Sequence, residues 1–229
     1  MLKLQNYSDT ILHEIDFELK SNQNLIILGE NGAGKSTLAK VLCGVIPSDI
    51  VLGGKPLAGL SGQERSRWIN YIPAKMEIFD AFISVEEYLN LSHIQSLLEP
   101  KSLLRLLGIE GLRYKSCHSL SSGEQQLVML LTSILHNAQI TIFDEPTANL
   151  DPNKSRDVFS LLKKAFFKSR IVITHDLTLA YRLGYDIIYM QEGKISFRGT
   201  SKEFFLDSNL DYYFGSSVKR LGDFIVVNL

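Results

Sequence analysis

The sequence predicts an α/β fold whose core is a mainly parallel sheet carrying a phosphate-binding loop. Short apolar segments typical of buried strands alternate with helical segments along the chain. A loop of the form Gly-x-x-x-x-Gly-Lys-Ser directly follows one of these segments, residues 25–28. Between residues 79 and 135 helical segments interrupt the alternation, which indicates an inserted α-helical lobe.

Alternating or continuous apolar residues predict the strands. Residues 12–19 alternate as a half-buried strand does, whereas residues 25–28 are continuously apolar, as in a fully buried strand. The remaining predicted strands span residues 51–55, 68–72, 140–143, 171–174, 186–190 and 194–198, the last two forming a hairpin.

Capping signals predict where helices begin and end. Ser84 with Glu87, and Thr200 with Glu203, form capping boxes, and the first should open a helix to about residue 98. Asp151 followed by Pro152 should open a helix to about residue 167. Further helices are predicted at residues 35–43, 100–107 and, after a short loop, within 120–135.

Composition excludes several classes of protein. The 229 residues suffice for one large domain with an inserted lobe. A net charge of −1 without a basic run argues against nucleic acid as a partner. The sequence has no apolar stretch of about 18 residues and no N-terminal signal-peptide pattern. Cys43 and Cys117 match no metal-ligand spacing, so we expect two buried thiols in a reducing cytosol.

The glycine-rich loop predicts a nucleoside triphosphate with Mg²⁺. Its glycines let successive N–H groups point at phosphate oxygens, and the following helix directs its positive end to the same place. Lys35 should reach the β- and γ-phosphates, and Ser36 should bind Mg²⁺. The alternative is a turn that binds nothing. The predicted phosphate-binding set is Gly29, Asn31, Gly32, Ala33, Gly34, Lys35, Ser36 and Thr37.

Two later strands end in polar residues that suit phosphate hydrolysis. Asp144 and Glu145 follow the strand at 140–143, and ligands of open parallel sheets bind at such ends. Asp144 should hold Mg²⁺ through water, and Glu145 should activate or orient the attacking water. His175 follows the strand at 171–174 and should hold the γ-phosphate and this water. The alternatives are a solvated strand end and an incidental loop histidine.

A second helix start also favours an anion. Ser121 and Glu124 form a capping box in the segment Leu-Ser-Ser-Gly-Glu. Because one loop already binds the phosphates, this end has no partner within a monomer. A twofold dimer supplies one, if Ser121, Ser122, Gly123 and Glu124 of each copy cover the ATP held by the other.

This Leu-Ser-Ser-Gly-Glu segment, between the phosphate loop and the Asp-Glu strand end, resembles the signature of ABC-transporter ATPases, usually Leu-Ser-Gly-Gly-Gln or -Glu. The resemblance covers essentially the whole chain. It implies one ABC ATPase domain over residues 1–229, a P-loop NTPase core with an N-terminal antiparallel β subdomain (1–78 with 136–229) and a helical signature lobe at 79–135.

Other residues match the family as well. Residues 146–151, which end in Asp151, resemble the D-loop that links the two ATP sites, and His175 matches the switch histidine. Tyr7 lies where the family has an aromatic residue that stacks on adenine. The alternative for Tyr7 is a surface aromatic.

The resemblance implies an ATPase subunit in the cytoplasm, peripheral on the inner face of the cell membrane, that powers a membrane importer. Its partners would be a second copy of itself, transmembrane permease subunits and, indirectly, a solute-binding protein. The tail, residues 211–227, is similar to that of the iron-siderophore, haem and cobalamin group. The alternatives are an exporter ATPase, a soluble ABC ATPase and an ATP-gated scaffold with little turnover.

Three positions depart from the family pattern. Ala74 stands where the family has a glutamine that contacts Mg²⁺ or the attacking water and senses the membrane partner, so we expect slower hydrolysis or looser coupling. Ser122 replaces a glycine, and Leu127 replaces an arginine. We expect the loop at Ala74 and the segment from residue 79 to 98 to form the docking surface, with Phe79 and Phe82 either exposed contacts or core residues.

Overall fold

The computed structural model describes residues 1–77, 80, 82–148 and 150–227. The chain divides into two compact units, Met1–Leu60 with Arg170–Leu229, and Ser61–Ser169. Among the described residues, no helix is both long enough and apolar enough to cross a bilayer.

The described residues form β-strands and α-helices in the following order along the chain. The strands are β1 (Leu2–Tyr7), β2 (Ile15–Leu19), β3 (Asn24–Gly29), β4 (Val51–Leu52), β5 (Lys55–Pro56), β6 (Ile69–Ile72), β7 (Ile140–Asp144), β8 (Ser169–Thr174), β9 (Asp186–Gln191), β10 (Lys194–Gly199), β11 (Val218–Leu221) and β12 (Phe224–Val227). The helices are α1 (Lys35–Leu42), α2 (Gly62–Trp68), α3 (Val85–Leu91), α4 (Pro100–Leu106), α5 (Ser122–His136), α6 (Pro152–Lys163), α7 (Leu177–Leu183), α8 (Ser201–Phe204) and α9 (Asp207–Phe214).

The first unit contains a small antiparallel sheet and a mainly parallel one. In the small sheet β1 pairs with β2 and β4, and β4 turns into β5. In the larger one β3 runs parallel to β8 on one side and to β9 on the other, and β10 pairs antiparallel with β9. The α/β class, the parallel sheet and the antiparallel β subdomain are therefore confirmed.

The parallel strands are buried because their side chains are apolar on both faces. Ile26, Ile27, Ile173 and Ile188 are fully buried, as expected for strands covered on both faces. This rigid layer holds the ends of β3 and β8, from which the phosphate loop and His175 follow in the sequence.

The second unit combines the parallel pair β6–β7 with helices α2 to α6. Helix α5 is apolar and buried on nearly every side, and α3 and α4 pack against it. The capping boxes predicted at Ser84 and Ser121 are both formed. The predicted lobe, residues 79–135, lies within this unit, and its role as a separate lobe stays a prediction.

The strand predicted at residues 12–19 is shorter than expected. Strand β2 begins at Ile15 because local side-chain hydrogen bonds hold the preceding residues in a turn. Asp9 Oδ1 accepts from the N–H groups of Ile11 and Leu12, both at 2.7 Å, and Ser8 Oγ accepts from that of Glu14. Such side-chain acceptors compete with a strand ladder.

Two predicted helices also end early. The helix from Ser84 stops at Leu91 rather than near residue 98, and the chain continues through a loop in which the His93 ring bonds the Ser96 carbonyl. The helix from Asp151 stops at Lys163 rather than near residue 167, because Lys164 is extended and Phe167 packs edge-on against Phe143, at 5.1 Å. Strand β1 and helices α2, α7 and α9 were not predicted.

Both cysteines are buried thiols, as expected. Burial raises the pKa of the Cys117 thiol, which keeps it in its neutral, unreactive form.

Candidate active site

The loop between β3 and α1 has the backbone conformation of a phosphate-binding loop. Gly32 and Gly34 lie in the left-handed region, at φ 86° and 93°. At Gly34 the chain also passes close to its neighbours, since a Cβ there would come 2.8 Å from Cδ2 of Leu12. The loop therefore depends on glycine for both conformation and space.

Lys35 lies beneath this loop. Its side chain is 6% exposed, and Nζ donates to the carbonyl oxygens of Gly29 and Glu30, both at 2.8 Å. A buried ammonium held by two loop carbonyls places a positive charge at the phosphate loop. Ser36 is exposed and Thr37 is half-buried at the start of α1.

Two cavities of the first unit adjoin the loop. The larger, of about 570 Å³, is lined by the loop and by the β9–β10 turn: Glu30, Asn31, Gly32, Ala33, Gln191, Glu192, Lys194 and Ser196. The smaller, of about 230 Å³, is lined by Leu28, Gly29, Glu30, Asn31, His175, Leu177, Tyr189 and Phe214. The structure thus brings His175 to the same cavity as the phosphate loop.

Tyr7 belongs to the same unit but lies in a different setting. It is half-buried, and its hydroxyl donates to Asp9 Oδ2 at 3.0 Å. The turn that Asp9 caps ends at Leu12, which packs on Gly34. In the described part of the chain Tyr7 is not among the residues lining either cavity, so its stacking on adenine stays a prediction.

In the second unit the strand end carries the predicted pair of carboxylates. Asp144 is 4% exposed, and its Oδ2 accepts a hydrogen bond from the Tyr71 hydroxyl at 2.9 Å. Its Oδ1 is buried with no hydrogen-bond partner among the described residues. Glu145 follows in a left-handed conformation, φ 49°, which for a residue with a side chain costs on the order of 1–3 kcal/mol.

The oxygens at this strand end are chemically suited to a magnesium ion. A buried carboxylate oxygen without a donor needs a ligand, and Mg²⁺ is bound by one or two carboxylates together with water and phosphate oxygens. No cluster of three or more His, Cys, Asp or Glu residues in the described ranges forms an all-protein metal site. Ser36 and Asp144 belong to different units of the chain.

The signature segment forms a complete helix cap. The Ser121 N–H donates to Glu124 Oε2 at 2.8 Å, and the Glu124 N–H donates to Ser121 Oγ at 3.3 Å. The pKa of the Glu124 carboxyl is lowered, mainly by the hydrogen bond from the Ser121 N–H. Ser121 and Ser122 are exposed, whereas Gly123 is buried.

Asp151 is linked to the signature through a lysine that sequence reasoning missed. Asp151 caps α6 and accepts from the N–H groups of Asn153 and Lys154. The Lys154 side chain lies so close to Gly123 that a Cβ on this glycine would meet its Cγ at 3.0 Å. Gly123 is therefore needed for close packing beside a cation. Asn149, in the predicted D-loop, lies outside the described residues.

The three departures have different surroundings. Ala74 is exposed in the loop after β6, and Ser122 is exposed at the start of α5. Leu127 is 1% exposed, so it packs in the core of the second unit.

The two phenylalanines predicted for the docking surface differ in what the structure describes. Phe82 is 91% exposed, which rules out its packing in a core, and Phe79 lies outside the described residues.

Known proteins share both the sequence pattern and the fold. Residues 12–148 match the ABC transporter family. The zinc import ATP-binding protein ZnuC of Vibrio vulnificus is 31% identical over 185 residues, which cover 79% of this chain and 68% of that protein. The structure of CbiO1 from Clostridium perfringens, part of the ABC transporter complex CbiONQ, has a TM-score of 0.73 and 25% identity over 93% of this chain and 95% of that chain.

A further solved structure supports the fold alone. The ATP-binding cassette MJ0796, a dimer in a post-hydrolysis state with ADP and Pi, has a TM-score of 0.74 and 21% identity over 88% of this chain and 99% of that chain. With the family match and the ZnuC relative, the resemblance inferred from the signature segment is confirmed. The chain belongs to the ABC transporter family, as one of its ATP-binding subunits, which are ATPases coupled to transport.

Proposed function

We propose that this chain powers a membrane importer, and that two copies hold two Mg²⁺–ATP between them. The observation that carries the proposal is the phosphate loop with Lys35 beneath it and two cavities beside it, the larger of which has the volume of a ligand pocket. Loop N–H groups from Gly29 and from 31–37 bind the phosphates, and Lys35 neutralises their charge.

Asp144, Glu145 and His175 supply the hydrolytic chemistry in this proposal. Ser36 and Asp144 hold Mg²⁺, which when bound neutralises the β- and γ-phosphate oxygens. Glu145 accepts the proton of the attacking water. His175 lines the same cavity as Asn31 and binds the γ-phosphate there. The left-handed backbone at Glu145 supports this role, because strained conformations concentrate at active sites.

The second copy completes each site. Ser121, Ser122 and Gly123 form an exposed helix start beside the cation of Lys154, which suits the γ-phosphate of an ATP bound to the other copy. Asp151 lies in the proposed D-loop, and its link to Lys154 ties that loop to the signature. The cassette MJ0796, which has the same fold, forms a dimer with ADP and Pi bound.

Transmembrane permease subunits are the proposed recipients of the motion. Phe82 and Leu97 of the lobe are 91% and 100% exposed, and Leu91 and Ile94 are exposed as well, so the lobe presents apolar side chains to a partner. The subunit would sit peripherally on the inner face of the cell membrane and act with a solute-binding protein only indirectly. Tyr7 is the residue proposed to stack on adenine.

The solute is proposed from resemblance alone. The tail favours iron chelate, haem or cobalamin, whereas the relative named for zinc import favours zinc as a second candidate. Uptake assays with each solute, using the chain with its cognate permease in proteoliposomes, would separate the two.

The central test uses Glu145→Gln and Lys35→Ala in the purified full chain. We expect Glu145→Gln to bind ATP and form a stable dimer on size exclusion, with hydrolysis reduced by about 10²–10⁴-fold. Lys35→Ala should lose ATP binding. Purification from detergent-solubilised membranes should bring down a polytopic partner. A wild-type chain that neither dimerises with ATP nor hydrolyses it would contradict the proposal.

A further inference from the structure

We propose that Tyr71 is a positioning residue for Asp144: its hydroxyl holds one carboxylate oxygen so that the other is directed to the metal. This inference rests on the proposed role of Asp144 in binding Mg²⁺. It assigns a function to a side chain that the phosphate loop, the signature and the strand-end carboxylates do not include.

The register of the two strands places the phenol beside the carboxylate. Tyr71 lies opposite Ile142 in the parallel pair β6–β7, and Asp144 lies two residues beyond Ile142. Residues two apart on a strand share a face and are about 6.6 Å apart, a diagonal that a long aromatic side chain spans. The 2.9 Å hydrogen bond from the Tyr71 hydroxyl to Asp144 Oδ2 is the result.

The two oxygens of Asp144 are thereby made unequal. Oδ2 has its donor, while Oδ1 is buried with no hydrogen-bond partner in the described ranges. A buried carboxylate requires compensation at both oxygens. Rotation of the carboxylate would break the contact with Tyr71, so the phenol fixes which oxygen stays available to a metal-bound water. Hydrogen bonds of this kind orient metal-binding carboxylates in proteins.

Tyr71 also connects this carboxylate to the segment that lacks the family's glutamine. Ala74 is three residues further on, and its exposed methyl group has no polar atom to offer a metal or a water. The hydroxyl of Tyr71 is therefore a side-chain contact between the 71–74 segment and the predicted metal ligand. Movement of this segment would therefore act on the Asp144 side chain through this hydrogen bond, in addition to the β6–β7 backbone pairing.

Tyr71→Phe tests the role because it removes only the hydroxyl. The direct readout is the affinity of the ATP-loaded full chain for Mn²⁺, measured by electron paramagnetic resonance, and we expect about a 10-fold loss. ATP binding in EDTA should change less than twofold, since Tyr71 acts only through the metal. Tyr88→Phe, a half-buried tyrosine of the same unit, is the matched control and should leave both values unchanged.

A double variant separates positioning from packing. Tyr71→Phe should cost no further Mn²⁺ affinity when Asp144 is already Asn, because the two residues act in series. Three outcomes would each overturn the inference. The two substitutions could lower Mn²⁺ affinity independently in the double variant, or Tyr71→Phe alone could keep an Mn²⁺ affinity within twofold of wild type. The third is that Tyr71→Phe weakens ATP binding equally with and without metal. Failure of the proposed function is distinct: the wild-type chain itself would then not bind or hydrolyse ATP. Thermal unfolding of each variant establishes that it is folded.

Discussion

Gly193 lies so close to Ile11 that a Cβ on this glycine would come 1.9 Å from the Ile11 carbonyl oxygen. The Gly193 N–H donates to the carbonyl of Ala33 at 3.3 Å, and its own carbonyl accepts from the His13 N–H at 2.9 Å. One glycine in the β9–β10 turn is therefore joined both to the phosphate loop and to the turn that follows Tyr7.

Gly193→Ala should weaken nucleotide binding although residue 193 offers no phosphate-binding group in this proposal. Alanine would have to keep a left-handed φ of 74° and also displace Ile11. Gly54→Ala is the control, because Gly54 has φ 86° with open space around its Cβ position. The control should cost about 1–2 kcal/mol of unfolding free energy from backbone strain alone.

We expect Gly193→Ala to lose more unfolding free energy than Gly54→Ala. It should also lower the affinity for a fluorescent ATP analogue about 10-fold or more, since each 1.4 kcal/mol of lost binding free energy is a factor of ten in affinity. Thermal unfolding and fluorescence titration measure the two effects. Equal behaviour of the two variants would show that the contact with Ile11 is unimportant.

Glu124→Gln should reduce the dependence of the free energy of unfolding on pH under acidic conditions. The pKa of Glu124 is lowered in the folded chain, first by the N–H of Ser121. The unfolded chain therefore binds the proton more readily, so the stabilisation is present above the unfolded pKa of about 4.3 and is lost as pH falls through the folded value.

Urea unfolding between about pH 6 and pH 3 measures this slope. Glutamine keeps a side-chain acceptor for the cap but does not titrate, so the variant should lose less stability than wild type on acidification. Glu77→Gln, at an exposed position, is the control. A profile for Glu124→Gln that parallels wild type through this range would contradict the assignment.

Local signals explain why much of the site was predictable. Two kinds of feature depend only on neighbours within a few residues, and both are present in the structure. They are the phosphate loop between an apolar strand and a helix, and the capping boxes at Ser84, Ser121 and Thr200. Helix lengths were predicted less well, because the ends at Leu91 and Lys163 depend on loop contacts such as Phe167 with Phe143.

Contacts between distant segments could not be predicted. The hydrogen bond from Tyr71 to Asp144 joins residues 73 positions apart and depends on the register of β6 against β7. Gly193 carries no local signal of its contact with Ile11 beyond a turn pattern. Likewise, the sequence does not signal the left-handed backbone of Glu145, because glutamate rarely adopts this conformation.

Ala74→Gln should restore the missing polar group in the exposed loop after β6. We expect faster ATP hydrolysis, or a larger stimulation by the permease, because a glutamine here could orient the attacking water. The ATPase rate of the full chain, alone and with its permease in proteoliposomes, measures both. Lys75→Gln places the same side chain one residue along and should have no such effect. No change in either rate with Ala74→Gln would refute a role for this position.

Thr178 attaches the C-terminal hairpin to the helix that follows His175. Its Oγ1 donates to the Ile225 carbonyl at 2.9 Å and accepts from the Ile225 N–H at 3.1 Å, so one hydroxyl bonds both backbone groups of this β12 residue. Arg182, one turn further along α7, lies over the Phe224 ring at 5.9 Å. The hairpin and α7 should therefore loosen together when the hydroxyl is removed.

Thr178→Val keeps the shape of the side chain and removes both hydrogen bonds, each worth about 0.5–1.5 kcal/mol. Amide exchange should accelerate at residues 218–227 and in α7, while exchange in β3 and β8 stays at the wild-type rate, because the loss is local. Thr178→Ser retains the hydroxyl and should restore slow exchange. If valine left the hairpin as protected as in wild type, apolar packing rather than Thr178 would hold it on α7.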